Sequence, residues 1–211
     1  TLVATTGGDI GFHLMGKIPR RARAERLDLP RDGRSLAAGW AGSLSPEEKP
    51  SATNPERGFL VTANQRIAVD ERARATLGGY AASAHRARRI RARIEAVLKE
   101  GKANPESLKS IQLDPTSLEA QAVAPIFARR CPPSVKGHPP SRVRAFCEAL
   151  KSFDGVFTPD AIALPYERLL KGLQLEVVSL HIGEDVAEQI ARFPFLTEAV
   201  EDAILAEARG E

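Results

Sequence analysis

The chain has 211 residues, 43% of them hydrophobic and 27% charged, with a formal net charge of +3. That length allows one or two domains with a real core, and so small a positive excess does not by itself call for a nucleic-acid partner. No apolar run approaches the roughly 18 residues of a membrane span, and no basic start followed by an apolar core marks a signal peptide; Thr1-Leu2-Val3-Ala4-Thr5 instead reads as a strand from the middle of a longer protein.

Residues 3–15 predict a β-hairpin, with Gly7-Gly8-Asp9 as turn, Ile10, Phe12 and Leu14 on one face and Gly11, His13 and Met15 on the other. A lone strand histidine such as His13 is read as packed or solvated rather than catalytic. Residues 16–53 lack periodicity. Pro19, Pro30, Pro46 and Pro50 punctuate them, and Arg20, Arg21, Arg23 and Arg26 form a basic cluster. Such a segment beside a core is functional or wraps a surface. Trp40, in Gly39-Trp40-Ala41-Gly42, is expected to anchor it to the core. Ser45-Pro46-Glu47-Glu48 has the form of a capping box with proline at the first helical position, so a short helical turn should follow.

Asn54-Pro55-Glu56-Arg57-Gly58 reads as a tight turn: Pro55 presets φ at the second turn position, Asn54 can bond its own backbone, and Gly58 tolerates positive φ. Phe59-Leu60-Val61-Thr62-Ala63 is a short apolar run, expected as a buried strand with Asn64 at its end. A rigid strand end is a place to present a hydrogen-bonding group to a ligand.

The rest reads as helical. Ile90, Ile94, Val97 and Leu98 keep helical spacing up to a stop at Gly101, and Arg86, Arg88, Arg89, Arg91 and Arg93 cover the other faces. That density could bind phosphates or a membrane surface; the favoured reading is a solvated face whose arginines pair with acids elsewhere. Asn104-Pro105-Glu106 and Asp114-Pro115-Thr116 each look like an N-cap followed by proline. A helix from 115 to about 130 would use Leu118, Ala122 and Ile126, with a kink at Pro125. After a linker-like stretch, Ser141 should cap a helix burying Val143, Phe146, Cys147 and Leu150, which Phe153-Asp154-Gly155 ends in a turn. Thr158-Pro159 opens another helix that Pro165 kinks or restarts, and 184–208 form a last amphipathic helix interrupted near Pro194. Strands first and helices after is an α+β order, divided as 1–72 and 73–211. Cys131 and Cys147 lack metal spacing; they can pair in an oxidising compartment, although two free thiols, with Cys147 buried on its helix face, is the favoured reading.

No nucleophile elbow, zinc-protease helix, phosphate loop or dinucleotide fingerprint occurs. Asn64 and Arg86 remain, as supporting rather than reactive groups. Here the sequence resembles a known family. Asp9-Ile10-Gly11-Phe12-His13 through Ile18-Pro19-Arg20 resembles the G-N-I-G-Y-H…G-R-I-P-x-R segment of the penicillin acylase (penicillin amidase) family. Gly39-Trp40-Ala41-Gly42 is similar to its W-x-G loop, and Asn54-Pro55…Gly58-Phe59…Ala63-Asn64 to its N-P-x-x-G…A-N motif. His85 through Ile90 resembles its R-x-x-R-I helix, Gln112-Leu113-Asp114…Ser117…Ala120 its Q-x-D-x-x-S-x-x-A segment, and Phe153-Asp154-Gly155 its W-D-G, with phenylalanine in place of tryptophan.

The resemblance implies the central part of the β subunit of an N-terminal nucleophile hydrolase, a fragment of an αββα sandwich. Such enzymes mature by self-cleavage of a precursor, and the freed serine uses its own α-amino group as base to form an acyl-enzyme from an amide. Asn64 falls on the asparagine that stabilises the oxyanion, and Arg86 on the arginine that orients the serine amine and that asparagine. The family's serine and most of its acyl pocket lie upstream of the matching segment, so the chain alone is expected to be incomplete and inactive. Thr1 is no substitute, since it aligns with a strand interior. No cofactor is implied as required; many members bind calcium, but no ligand is assigned here, Asp70 and Glu71 being the nearest acids. Implied partners are the α subunit, the remaining β-subunit segments and a small amide of the β-lactam side-chain or N-acyl homoserine lactone class, with no nucleic acid and no membrane span. The implied location is periplasmic or secreted. Two alternatives stay open: a catalytically inactive fragment or interaction piece, and a basic helical module binding an anionic polymer through residues 86–93.

Overall fold

The computed structural model describes residues 1–21, 33–34, 39–67, 83–159, 162–183, 185 and 206. The chain divides into two compact units, Thr1–Ala81 and Ala82–Glu211. Strands occupy the first and helices the second, a mixed helix-and-sheet composition compatible with α+β.

In the first unit β1 (Leu2–Ala4), β2 (Ile10–His13) and β5 (Ser51–Thr53) form an antiparallel sheet in the order β1-β2-β5. Leu2 faces Phe12, and Phe12 in turn faces Ala52. The hairpin is the expected one, because its turn is locally determined. Thr5 and Asp9 exchange bonds across it, Thr5 N–H donating to the Asp9 carbonyl (2.9 Å) and Asp9 N–H to Thr5 Oγ1 (3.1 Å). β3 (Pro19–Arg21) and β4 (Trp40–Ser43) form a separate antiparallel pair with a bulge between Pro19 and Arg21. Trp40 does not anchor a loop: it is 72% exposed on β4, whose four residues are all exposed. The Ser45–Glu48 turn forms as a 3-10 helix, with Ser45 N–H donating to Glu48 Oε2 (2.8 Å). Arg20 clamps the same carboxylate (Nη2 to Oε1, 2.6 Å) and holds its pKa at about 2. Pro30, Arg23 and Arg26 lie outside the described residues.

The second unit contains α1 (His85–Glu100), α2 (Pro105–Gln112), α3 (Leu118–Arg129), α4 (Pro140–Lys151) and α5 (Ala163–Ile182). α1 ends where its periodicity predicts, at Gly101 with φ 148°. Asn104 caps α2, its side chain accepting from Ser107 N–H (2.8 Å), with Pro105 following. Ala120, Val123 and Ala124 of α3 pack with Leu150 of α4 and with Tyr166 and Leu170 of α5. Tyr166 centres an aromatic group, 5.4 Å from Phe153 and 6.1 Å from Phe127 between ring centroids.

Several local expectations fail here. Asp114 is not an N-cap; α3 is capped three residues later by Ser117, whose side chain accepts from Ala120 N–H (3.1 Å). The buried stripe of α3 is therefore Ala120, Val123 and Ala124 with Ile126, rather than the Leu118–Ala122–Ile126 row, and Pro125 sits on its exposed side. α4 starts at Pro140, so Ser141 lies inside its first turn, though Val143, Cys147 and Leu150 are buried as expected. Pro165 belongs to the first turn of α5, where its missing N–H costs no helical bond. Cys131 and Cys147 form a disulfide rather than two free thiols, with Cα atoms 5.9 Å apart. The helix expected over 184–208 falls almost entirely outside the described residues. Among the described residues, no helix is long and apolar enough to cross a membrane.

Candidate functional site

The Asn54–Asn64 stretch is built differently from its sequence reading. The turn closes one residue later than expected, Gly58 N–H donating to the Pro55 carbonyl (2.8 Å), with Gly58 at φ 74°. Asn54 bonds the hairpin rather than its own backbone. Its Oδ1 accepts from Ile10 N–H (2.8 Å), its Nδ2 donates to Asp9 Oδ1 (2.7 Å), and its N–H donates to the Ile10 carbonyl (2.9 Å). This three-point clasp fixes the turn to the start of β2.

Phe59–Ala63 forms no strand. The run instead ends in a turn closed by Gln65, whose Oε1 accepts from Ala63 N–H (2.6 Å) while its Nε2 donates to the Val61 carbonyl (3.3 Å). Ala63 is buried at 5% exposure and roots this turn. Asn64 follows it, exposed and in the left-handed region at φ 63°. Asparagine tolerates that conformation better than other non-glycine residues. The sequence reading put Asn64 at a strand end; its support is a side-chain-closed turn, for which Gln65 two residues from Ala63 was the available signal.

Arg86 is exposed on the first turn of α1, in the second unit, whereas Asn64 belongs to the first. The arginine that organises this part of the helix is Arg89. Its Nε donates to Asp114 Oδ2 (2.8 Å) and its Nη2 to Thr116 Oγ1 (3.1 Å). Arg93 Nε approaches the same Asp114 oxygen at 3.2 Å. Asp114 also accepts from Thr116 N–H through Oδ1 (3.0 Å), and its side chain is only 8% exposed. Burial pushes the Asp114 carboxyl up, but the bonds from Arg89 and Thr116 outweigh it and leave the group at about 2. Part of the basic helix is therefore neutralised within its own unit. Sequence reasoning missed Arg89 because five arginines compete within eight residues; the acid that distinguishes it lies 25 residues away.

The turn around Asp114 docks on the Phe153-Asp154-Gly155 turn. Ser117 N–H donates to the Gly155 carbonyl (2.8 Å), Phe157 N–H to the Pro115 carbonyl (2.9 Å) and Gln121 Nε2 to the Asp154 carbonyl (2.9 Å). Gly155 has φ 78°, and a Cβ there would lie 2.7 Å from both the Ser117 carbonyl oxygen and Gln121 Cγ. Among the described residues no group of three or more His, Cys, Asp or Glu could hold a metal ion; Asp70 and Glu71 lie outside them.

The segments that carry the family resemblance are thus bonded in pairs: Asp9–Ile10 with Asn54, Ile18–Pro19 with β4 and Leu44, Arg89 with Asp114, and Ser117 with Gly155. Comparison with known proteins agrees. Residues 1–208 match the penicillin amidase family, and the chain belongs to it. It is 27% identical over 196 residues to an acyl-homoserine lactone acylase, QuiP, of Pseudomonas fluorescens strain Pf-5, covering 89% of this chain and 24% of the relative. It is 28% identical over 191 residues to the QuiP acylase of strain Pf0-1, covering 86% of this chain and 23% of the relative. The chain therefore spans about a quarter of the length of the curated relatives it matches.

Proposed function

We propose that this chain is part of an acylase-type amidohydrolase of the N-terminal nucleophile class, in which Asn64 donates its side-chain amide to the oxyanion of the tetrahedral intermediate. The observation that carries this reading is the presentation of Asn64: exposed, in a left-handed turn, immediately after a buried residue, with the turn closed by Gln65. An oxyanion donor must be held in place before the charge develops, so that no reorganisation is needed during reaction. Arg86 supports the serine amine and Asn64 in the assembled enzyme. The serine lies outside this chain, which belongs to an αββα sandwich completed by an α subunit and other β-subunit segments. Its attack breaks the amide bond, releases the amine and leaves an acyl-enzyme that water hydrolyses to the free acid.

Both relatives are named as acyl-homoserine lactone acylases, which favours an N-acyl homoserine lactone over a β-lactam side chain as the amide. The Cys131–Cys147 disulfide supports a periplasmic or secreted location, since such bonds persist where thiols are not kept reduced. Family calcium, where bound, has no ligand set proposed in this chain.

The test is product analysis on the complete mature protein supplied with N-decanoyl homoserine lactone. Decanoic acid and homoserine lactone with its ring intact are expected. Ring opening with the amide preserved, or no turnover by a correctly processed protein, contradicts the reading.

A further inference from the structure

The helical unit holds a cavity of about 780 Å³ bounded by the end of α3, the 131–139 loop, α4 and the start of α5. That size falls within the roughly 300–1,000 Å³ of small-molecule sites. Its buried lining is apolar: Val143, Cys147 and Leu150 are at most 8% exposed. The Cys131–Cys147 bond ties the loop to α4 across its wall. Its exposed lining carries two cations, Arg142 in the first turn of α4 and Arg168 in the second turn of α5, beside the apolar Val135, Leu164 and Leu169. No Asp or Glu is among the described lining residues.

An apolar interior with guanidinium groups at its margin selects a ligand that has a chain and one negative end. We propose that this cavity binds a free single-chain carboxylate amphiphile, its tail against Val143, Phe146 and Leu150 and its carboxylate held by Arg142 and Arg168. Charge complementarity chooses this occupant. A purely apolar segment would leave the arginines unmatched, and an anionic polymer would leave the interior unfilled. The site uses neither Asn64 nor Arg86, so it stands apart from the oxyanion assignment.

Decanoate titrated into the folded full-length protein, followed by calorimetry, is expected to bind saturably. Charge reversal by Arg142→Glu with Arg168→Glu, both at exposed positions, should weaken decanoate by at least about tenfold while leaving decanol binding unchanged. Leu169→Trp, which narrows the cavity from a position 37% exposed, should weaken both ligands, with helical circular dichroism unchanged in each variant. Absence of saturable decanoate binding, equal affinity before and after charge reversal, or binding confined to phosphatidylglycerol vesicles would each overturn the proposal.

Discussion

Gly155 has no room for a side chain. A methyl group there meets the carbonyl of Ser117 and the side chain of Gln121, at a φ that L-residues enter at a cost of about 1–2 kcal/mol before any clash. Gly155→Ala should therefore lose about 2–4 kcal/mol of unfolding free energy, strain and overpacking together, as read by urea denaturation. A change under half a kcal/mol would mean that the docked turns are not cooperative with the core. Asp114 makes a separate prediction. Its carboxyl is depressed from its ordinary value near 3.9 to about 2, so its contribution to stability is fully present above pH 4 and is lost as pH falls toward 2. Asp114→Asn should cost on the order of 1–3 kcal/mol near neutrality, because Arg89 and Arg93 then face an uncharged amide. Its acid limb should also be flatter than that of the parent protein. An unchanged acid limb would remove Asp114 from the account.

At the level of elements, the disulfide joins the residue just beyond α3 to the middle of α4, 16 residues apart in sequence. A loop of that length restrains the unfolded chain by about 3 kcal/mol, so Cys131→Ser with Cys147→Ser should lower the denaturation midpoint, with a slope equal to or steeper than the parent's because the unfolded chain is less compact. An unchanged midpoint would show that the helix pair is held by packing alone. The elements also differ in how far they can be read from sequence. The 5–9 turn, α1 and the Asn104 cap of α2 depend on neighbours a few residues away, so turn chemistry and periodicity suffice for them. Phe59–Ala63 has the apolar content of a strand, but it joins no strand ladder and ends in the turn that the Gln65 side chain closes. Asp114 has the local form of a cap, yet its oxygens are taken by Arg89 and Thr116, leaving the cap to Ser117. The disulfide could be named only as one of two readings, because cysteine spacing says nothing about where the loop after α3 meets α4.

For the whole molecule, family membership was legible because several weak motifs recur in order, and the structure gives that order a physical meaning. Asn54 holds the hairpin across a sequence separation of 44, and Gln121 holds the 154–155 turn across one of 33. Much of the resemblance is thus the bonding that keeps the scaffold in register. Asn64 is different: it stands exposed in a left-handed turn that the Gln65 side chain closes. The oxyanion role proposed for Asn64 is tested by kcat for N-decanoyl homoserine lactone hydrolysis in the complete mature enzyme carrying Asn64→Gly, a substitution that accepts the left-handed turn and removes the amide. A fall in kcat of about 10²–10³ with KM little changed is the expected result for loss of an oxyanion donor; a kcat within a fewfold of the parent enzyme would contradict it.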